Sequence, residues 1–226
     1  MPPRYSREIE QPIVMGDSLK DQFRTSPCEA SCPAGNPIQK MQSLVEKGRF
    51  GEALRYLRAR NPFPGVTGRV CPHFCQAKCN RDRLEGCVNT RALERAAYDY
   101  APKGIEPFTR APETGKHVAV VGGGPAGMEA AILASRRGHQ VTLYEKEARL
   151  GGLLNDAVLV PFKEYMRLYL AWDIDHTMSC GAQVKLNTEV TMELVERENP
   201  DAVIVATGSR YVTPPIPGIE RALPVR

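Results

Sequence analysis

The stretch HVAVVGGGPAGMEAAILASRRGHQVTLYEKE, residues 117–147, leaves this chain few ways to fold. It reads as an apolar strand, a glycine turn, a helix rich in small residues and a second strand ending in an acid. Gly122 permits the tight turn, Gly124 lets backbone approach a pyrophosphate, and Gly127 allows close packing of helix on strand. Glu145, 23 residues after Gly122, stands where a carboxylate accepts hydrogen bonds from a ribose diol. The helix N-terminus offers free amides and a partial positive charge to phosphate oxygens. A lone Gly-x-Gly-x-x-Gly is a weak signal, but with strand, helix and acid in register it marks a dinucleotide cradle.

The half of the chain before this unit has different chemistry. Six of seven cysteines, Cys28, Cys32, Cys71, Cys75, Cys79 and Cys87, precede residue 88, and only Cys180 follows. Cys71, Cys75 and Cys79 form a C-x3-C-x3-C run, and Cys32 and Cys71 are each followed by proline. Structural zinc usually takes paired C-x2-C knuckles, which this half lacks. Iron–sulfur clusters need thiolates converging from separated loops, and a Cys-Pro step is familiar in their binding runs. Proline fixes φ and removes an N–H, so a ligand loop is held rigid while other amides point at sulfur. The set therefore favours an iron–sulfur site over zinc or free thiols. His73, inside the run, reads as a neighbour of the ligands or a surface residue rather than a ligand.

Between the two cysteine groups the pattern is helical. Asn36 is placed to cap a helix with Pro37 in its first turn and Ile38, Met41, Leu44 and Val45 as its stripe, ending at Gly48. Phe50, Ala53, Leu54 and Leu57 share the face of a second helix that Asn61 and Pro62 stop. A further helix from Thr90 to Tyr100 sets Leu93, Ala96, Ala97 and Tyr100 inward and leaves Arg91, Glu94 and Arg95 on a charged outer face. Residues 101–116, rich in Pro, Gly and charge, read as a linker. The chain of 226 residues thus divides into a tail (1–25), a helical domain (26–100), the linker and an α/β domain (117–226).

Composition excludes some function classes. Thirty Lys and Arg against 26 Asp and Glu leave a net charge of +4, too mild and too scattered for a nucleic-acid or membrane surface. The first residues lack the apolar core of a signal peptide, and no apolar run of 18 residues occurs, so a soluble, cytoplasmic location is expected.

CEASCPAGNPIQ, NPFPGVTGRVCPHFCQAKCNR and VNTRALERAAYDYA together resemble the N-terminal iron–sulfur domain of the glutamate synthase small subunit and of dihydropyrimidine dehydrogenase. The resemblance implies a helical domain with two [4Fe-4S] clusters. One would be ligated by Cys32, Cys71, Cys75 and Glu94. The other would take Cys28, Cys79 and an upstream C-x2-C, but Lys20 and Phe23 stand eight and five residues before Cys28. Cys87 is then either a substitute third ligand or a core thiol, so one cluster is expected and a second is left open.

YEKEARLGGLLN and DAVIVATGSR resemble the FAD domain of the two-dinucleotide flavoproteins, including glutamate synthase, trimethylamine dehydrogenase and dienoyl-CoA reductase. The implied FAD site comprises Gly122, Gly124, Pro125, Ala126, Gly127, Glu145, Lys146, Arg149, Gly152, Leu153, Val190, Thr207 and Gly208, with QVKLNTEVT as the intervening strand. The alternatives to a binding role are a surface charge for Arg149, core for Val190 and a strand-end cap for Thr207. No cysteine pair follows Gly151-Gly152, so disulfide-reductase chemistry has no thiols to use. Cys180 reads as a structural thiol, and Tyr169 and Trp172, in a helix after Pro161, as packing residues.

Relatives of this kind continue into an NAD(P)H-binding fold, and the sequence stops at PPIPGIERALPVR, where that fold is expected. The chain is therefore expected to be a partial flavoprotein: a fragment, or one completed by another polypeptide. Its expected function is that of an electron-transfer subunit passing electrons between FAD and one or two [4Fe-4S] clusters. Donor and acceptor sites are expected on partner subunits, among them one completing the flavoprotein or binding NAD(P)H. No residue is expected to act as general acid, base or nucleophile. The competing expectations are a noncatalytic docking module and a self-sufficient NAD(P)H-dependent reductase.

Overall fold

A computed structural model describes residues 25–102, 110–209, 212 and 215–218. Lys20, Phe23, most of the tail, the centre of the linker and most of the C-terminal end lie outside the described residues.

The first part is helical: α1 (Pro27–Ala30), α2 (Ile38–Glu46), α3 (Phe50–Arg58), α4 (Pro64–Val70), a 3₁₀ turn (Gln76–Lys78) and α5 (Thr90–Asp99). The stripes of α2 and α3 pack as their spacing dictates. Met41 and Leu44 of α2 meet Ala53 and Leu57 of α3 and Ala97 of α5 in one buried cluster.

Three local readings are corrected. Pro37, not Asn36, is the N-cap residue of α2, and the Asn36 side chain turns inward instead. α3 ends at Arg58, short of Asn61, whose side-chain oxygen accepts from the Phe63 amide before α4. α5 keeps Ala97 and Leu93 of its apolar stripe on the core, as expected, but buries Thr90 and Glu94 beside them, while Tyr100 is 70% exposed and lies against Phe50 at 5.3 Å. Thr90 and Glu94 turn inward because polar partners from α2, α4 and the loop between α3 and α4 await them.

The second part alternates strand and helix. β1 (His117–Val121) leads through α6 (Pro125–Arg136) to β2 (Gln140–Tyr144). α7 (Leu154–Ala157), a 3₁₀ turn (Pro161–Lys163) and α8 (Glu164–Ser179) precede β3 (Gln183–Lys185), and α9 (Met192–Glu198) precedes β4 (Ala202–Val205). The sheet is parallel throughout, in the order β3-β2-β1-β4, with Val118 beside Val141 on one side and Ala202 on the other. Crossover helices are what parallel neighbours require. Its core joins Val118, Val120, Val141 and Leu143 to Met128 and Ala131 of α6 and Leu170 of α8. The architecture is thus a helical domain followed by a Rossmann-like α/β domain. β4 stands at the edge with Val203, Ile204 and Val205 exposed.

Candidate functional site

The thiols converge because α1 packs against the 3₁₀ turn that separates Cys75 from Cys79. Cys75 is 8% exposed. Burial pushes its thiol up most, a Thr90 hydrogen bond opposes this, and the neighbouring charges of Cys32, Cys71 and Cys28 push it up further. Thiols that feel one another in this way share one region of the fold. Backbone amides point at the sulfurs: Asn36 N donates to Cys32 Sγ at 3.4 Å and His73 N to Cys71 Sγ at 3.3 Å. His73 makes that approach with φ at 53°, in the left-handed region. Arg91 donates to the Cys71 carbonyl at 3.2 Å.

Glu94 belongs to the same region and is not the surface charge that its helical pattern suggests. It is 6% exposed, and burial raises its carboxyl above the ordinary range, against hydrogen bonds from Thr67 and Asn61. Asn61 Nδ2 donates to Oε1 at 3.1 Å, and Thr67 Oγ1 donates to the same oxygen. Asn36 Nδ2 donates to Oε2 at 3.4 Å. Asn36 therefore touches both Cys32 and Glu94, tying the carboxylate to the thiols. With two donors on Oε1 and one on Oε2, Oε2 keeps a lone-pair direction open.

Cys79 is partly buried, and Cys87 is exposed, which overturns its reading as a core thiol. Residues 81–87 are all exposed on a polar, charged loop, where the Gln76 amide donates to Cys87 Sγ at 3.8 Å. Cys180 bears out its structural reading by donating to the Thr177 carbonyl at 3.1 Å. Among the described residues, no group of three His, Cys, Asp or Glu side chains is close enough to hold a single metal ion. A cluster spreads its ligands over several irons, so a single-ion cage is not the geometry it needs. Sequence reasoning missed Asn36, Asn61, Thr67 and Thr90. The signal was present as polar residues at positions where the helical phase turns inward.

The glycine cradle sits at the C-terminal ends of β1 and β4. Gly122 has φ at +108°, and a Cβ there would lie 2.4 Å from the Ala206 carbonyl oxygen. A Cβ on Gly127 would lie 1.8 Å from the Gly122 carbonyl oxygen, so α6 packs onto the turn only without a side chain. A Cβ on Gly124 would meet nothing nearer than Gly152 Cα at 3.9 Å. That face is open to a ligand, as close backbone approach to a pyrophosphate requires. The second glycine turn is fastened to the first by the Gly151 amide, which donates to Gly123 O at 2.8 Å.

Glu145 is buried beside this turn. It accepts from Gly123 N at 2.5 Å and Glu147 N at 2.8 Å. The Thr188 amide donates to the Glu145 carbonyl at 2.8 Å, which brings the segment ending in Val190 alongside. Thr207 and Gly208 follow β4 and are exposed at the turn, while Lys146, Arg149 and Leu153 are exposed on the loop after β2. Pro125 is half-buried and Ala126 exposed in the first turn of α6.

Comparison with known proteins matches both halves. Residues 22–104 fit the family model described as dihydropyrimidine dehydrogenase domain II, 4Fe-4S cluster, and residues 117–207 fit the FAD dependent oxidoreductase model. The chain is 35% identical over 82% of its length to the NADP(+)-dependent formate dehydrogenase subunit beta of Moorella thermoacetica, covering 30% of that protein. It is 34% identical over 84% of its length to the NADPH-Fe(3+) oxidoreductase subunit beta of Geobacter sulfurreducens, covering 29% of it. It is 36% identical over 85% of its length to the glutamate synthase [NADPH] small chain of Mycobacterium tuberculosis, covering 40% of it. The chain thus spans well under half the length of these curated relatives. An iron–sulfur cluster and FAD are the cofactors these families indicate, and the chain belongs to the glutamate synthase small subunit-like oxidoreductases, in which a 4Fe-4S domain of the dihydropyrimidine dehydrogenase type precedes an FAD domain.

Proposed function

We propose that the chain is an electron-transfer subunit of a multisubunit oxidoreductase, linking FAD on the glycine cradle to a [4Fe-4S] cluster on Cys32, Cys71, Cys75 and Glu94. A flavin exchanges one or two electrons and a cluster one at a time, so the pair converts hydride chemistry into single-electron traffic. The protein's own part is to hold and tune. Asn36 N and His73 N direct N–H dipoles at the Cys32 and Cys71 sulfurs. Gly122, Gly124, Gly127 and Gly152 keep side chains off the phosphate path, and Glu145 is held at the strand end. Pro125, Ala126, Lys146, Arg149, Leu153, Val190, Thr207 and Gly208 would line the remaining length of the dinucleotide. Cys28, Cys79 and Cys87 are left for a second, incompletely ligated cluster.

The observation that supports this reading is Asn36, whose amide donates to Cys32 and whose side chain donates to Glu94, so that two of the four proposed ligands, 62 residues apart in sequence on the loop before α2 and on α5, share one polar neighbour. The relatives are named as subunits, and their names carry NADP(+) or NADPH. This supports partner subunits that bind a nicotinamide nucleotide and the terminal acceptor, in a cytoplasmic complex. Among the described residues no helix is long and apolar enough to cross a membrane.

The test is iron and acid-labile sulfide analysis of anaerobically purified protein, with a reductive titration followed in the visible. About four irons per chain and reversible bleaching of both flavin and cluster are expected, and about eight irons would add the second cluster. Protein without iron, or with no reversible bleaching, would instead be a docking module.

A further inference from the structure

The two domains meet along α8. From the helical domain, Phe63 sets its ring edge-on to Tyr169 with centroids 5.4 Å apart. The Arg58 guanidinium lies 4.1 Å over the Trp172 ring, and that of Arg69 lies 4.6 Å over Tyr165. Trp172 stacks in turn on His176 at 4.6 Å, and His176 meets Arg136 of α6.

Behind this row Asp173 is completely buried, and neither of its carboxylate oxygens makes a hydrogen bond. The Tyr169 hydroxyl, one turn back, is buried too; it stands near enough to Asp173 to pull that carboxyl down, though outside good hydrogen-bond geometry. Around Asp173 stand Tyr169 on its own helix, Glu129 from α6 and Arg58 from α3, with Tyr98 of α5 beyond Tyr169. Arg58 is shared: its charge also acts on Glu129 and Tyr98, while Glu129 has Arg136 on its own helix as its larger positive neighbour. A bare carboxylate in that setting loses its water and faces a second acid, for part of one guanidinium in return. Burial first and the Glu129 charge second push Asp173 up to about 7, against weaker pulls from Tyr169 and Arg58.

We propose that Asp173 is a proton-operated latch: neutral, it keeps α8 seated against the helical domain, and on losing its proton it draws water into the seam and loosens that domain's hold. Glu129 stands five residues into the helix whose first turn borders the glycine cradle, so the latch and the dinucleotide turn share one rigid element. The sign follows from linkage. An acid raised in the docked form gives that form its full advantage below the ordinary carboxylate range, and the advantage is lost as pH rises toward and through about 7.

Trp172 is the only tryptophan in the chain, so acrylamide quenching of its fluorescence in the full-length holoprotein reads the seam directly. For the wild type, the quenching constant is expected to rise severalfold between about pH 5 and about pH 9. D173N should stay low and flat across that range. E129Q, which removes the like charge, should move the midpoint to lower pH, and it serves alone where D173N does not fold. H176Q should keep the transition, because the stacked imidazole is not its source. A flat wild-type profile, a transition unmoved by both acid substitutions, or one abolished by H176Q would overturn the proposal.

Discussion

Glu94 shows how much a single buried acid organises. Its two oxygens collect the side chains of Asn36, Asn61 and Thr67 from segments 58, 33 and 27 residues away. Glu94→Ala removes the acceptor and strands three donors, at a cost of about 3 kcal/mol, whereas Glu94→Gln keeps one carbonyl oxygen and costs about 1 kcal/mol. Urea denaturation of the two variants checks the ordering, and equal midpoints would show that the cage contributes nothing. At the cradle, Gly127→Ala puts a methyl group 1.8 Å from the Gly122 carbonyl oxygen, so turn or helix must move. Loss of most bound FAD is expected, read as the flavin-to-protein ratio, and full occupancy would mean the cradle does not hold the dinucleotide. The turn glycines were legible because each has a backbone role that spacing alone betrays. Asn36, Asn61 and Thr67 were not, since nothing local distinguishes a polar residue that caps or stops a helix from one that reaches a distant carboxylate.

At the scale of elements, α6 with its flanking strands was readable in full, because small residues, strand periodicity and turn glycines all agree. α5 was read with the right limits to within a residue, and Leu93 and Ala97 face the core as expected, but Tyr100 does not and Glu94 is buried. The polar partners waiting for Thr90 and Glu94 widen the buried face beyond the apolar stripe. Its start is fixed by Asn89, whose side-chain oxygen accepts from Ala92 N at 3.1 Å. Asn89→Ala is expected to cost about 1 kcal/mol, seen as a lower midpoint when far-UV circular dichroism follows urea unfolding. A loss confined to experimental scatter would mean that tertiary packing alone sets the start of α5. α8 shows a different limit of sequence reading. Leu170 faces the sheet while Tyr169 and Trp172 face the helical domain, so its buried residues run round the helix and no single stripe appears. Tyr169 and Trp172 could be read as packing residues, but their partners, Phe63 and Arg58, lie in another domain more than a hundred residues away.

At the scale of the molecule, stability among the described residues rests on two hydrophobic cores joined along α8. Arg69 is the residue that spans most of that junction. Its Nη1 donates to Gly65 O within α4, its Nη2 donates to both carboxylate oxygens of Asp99 at 2.7 and 2.9 Å, and its guanidinium lies over Tyr165 of α8. The fork of a guanidinium does this where a lysine cannot, because the planar group bonds a carboxylate at its edge while its face covers a ring. Arg69→Lys should therefore weaken the seam by about 1 kcal/mol, and Arg69→Ala by about 2 kcal/mol. The two cores keep their own contacts in either variant, so the effect is on their coupling. In urea the wild type should release iron and flavin in coincident transitions, measured with a chromogenic chelator and by flavin fluorescence. The alanine variant should separate them, since coincidence of probes is the mark of a single cooperative unit. Coincident release in the variant, at an unchanged midpoint, would show that α8 and the helical domain are coupled through Phe63, Arg58 and Asp173 without Arg69.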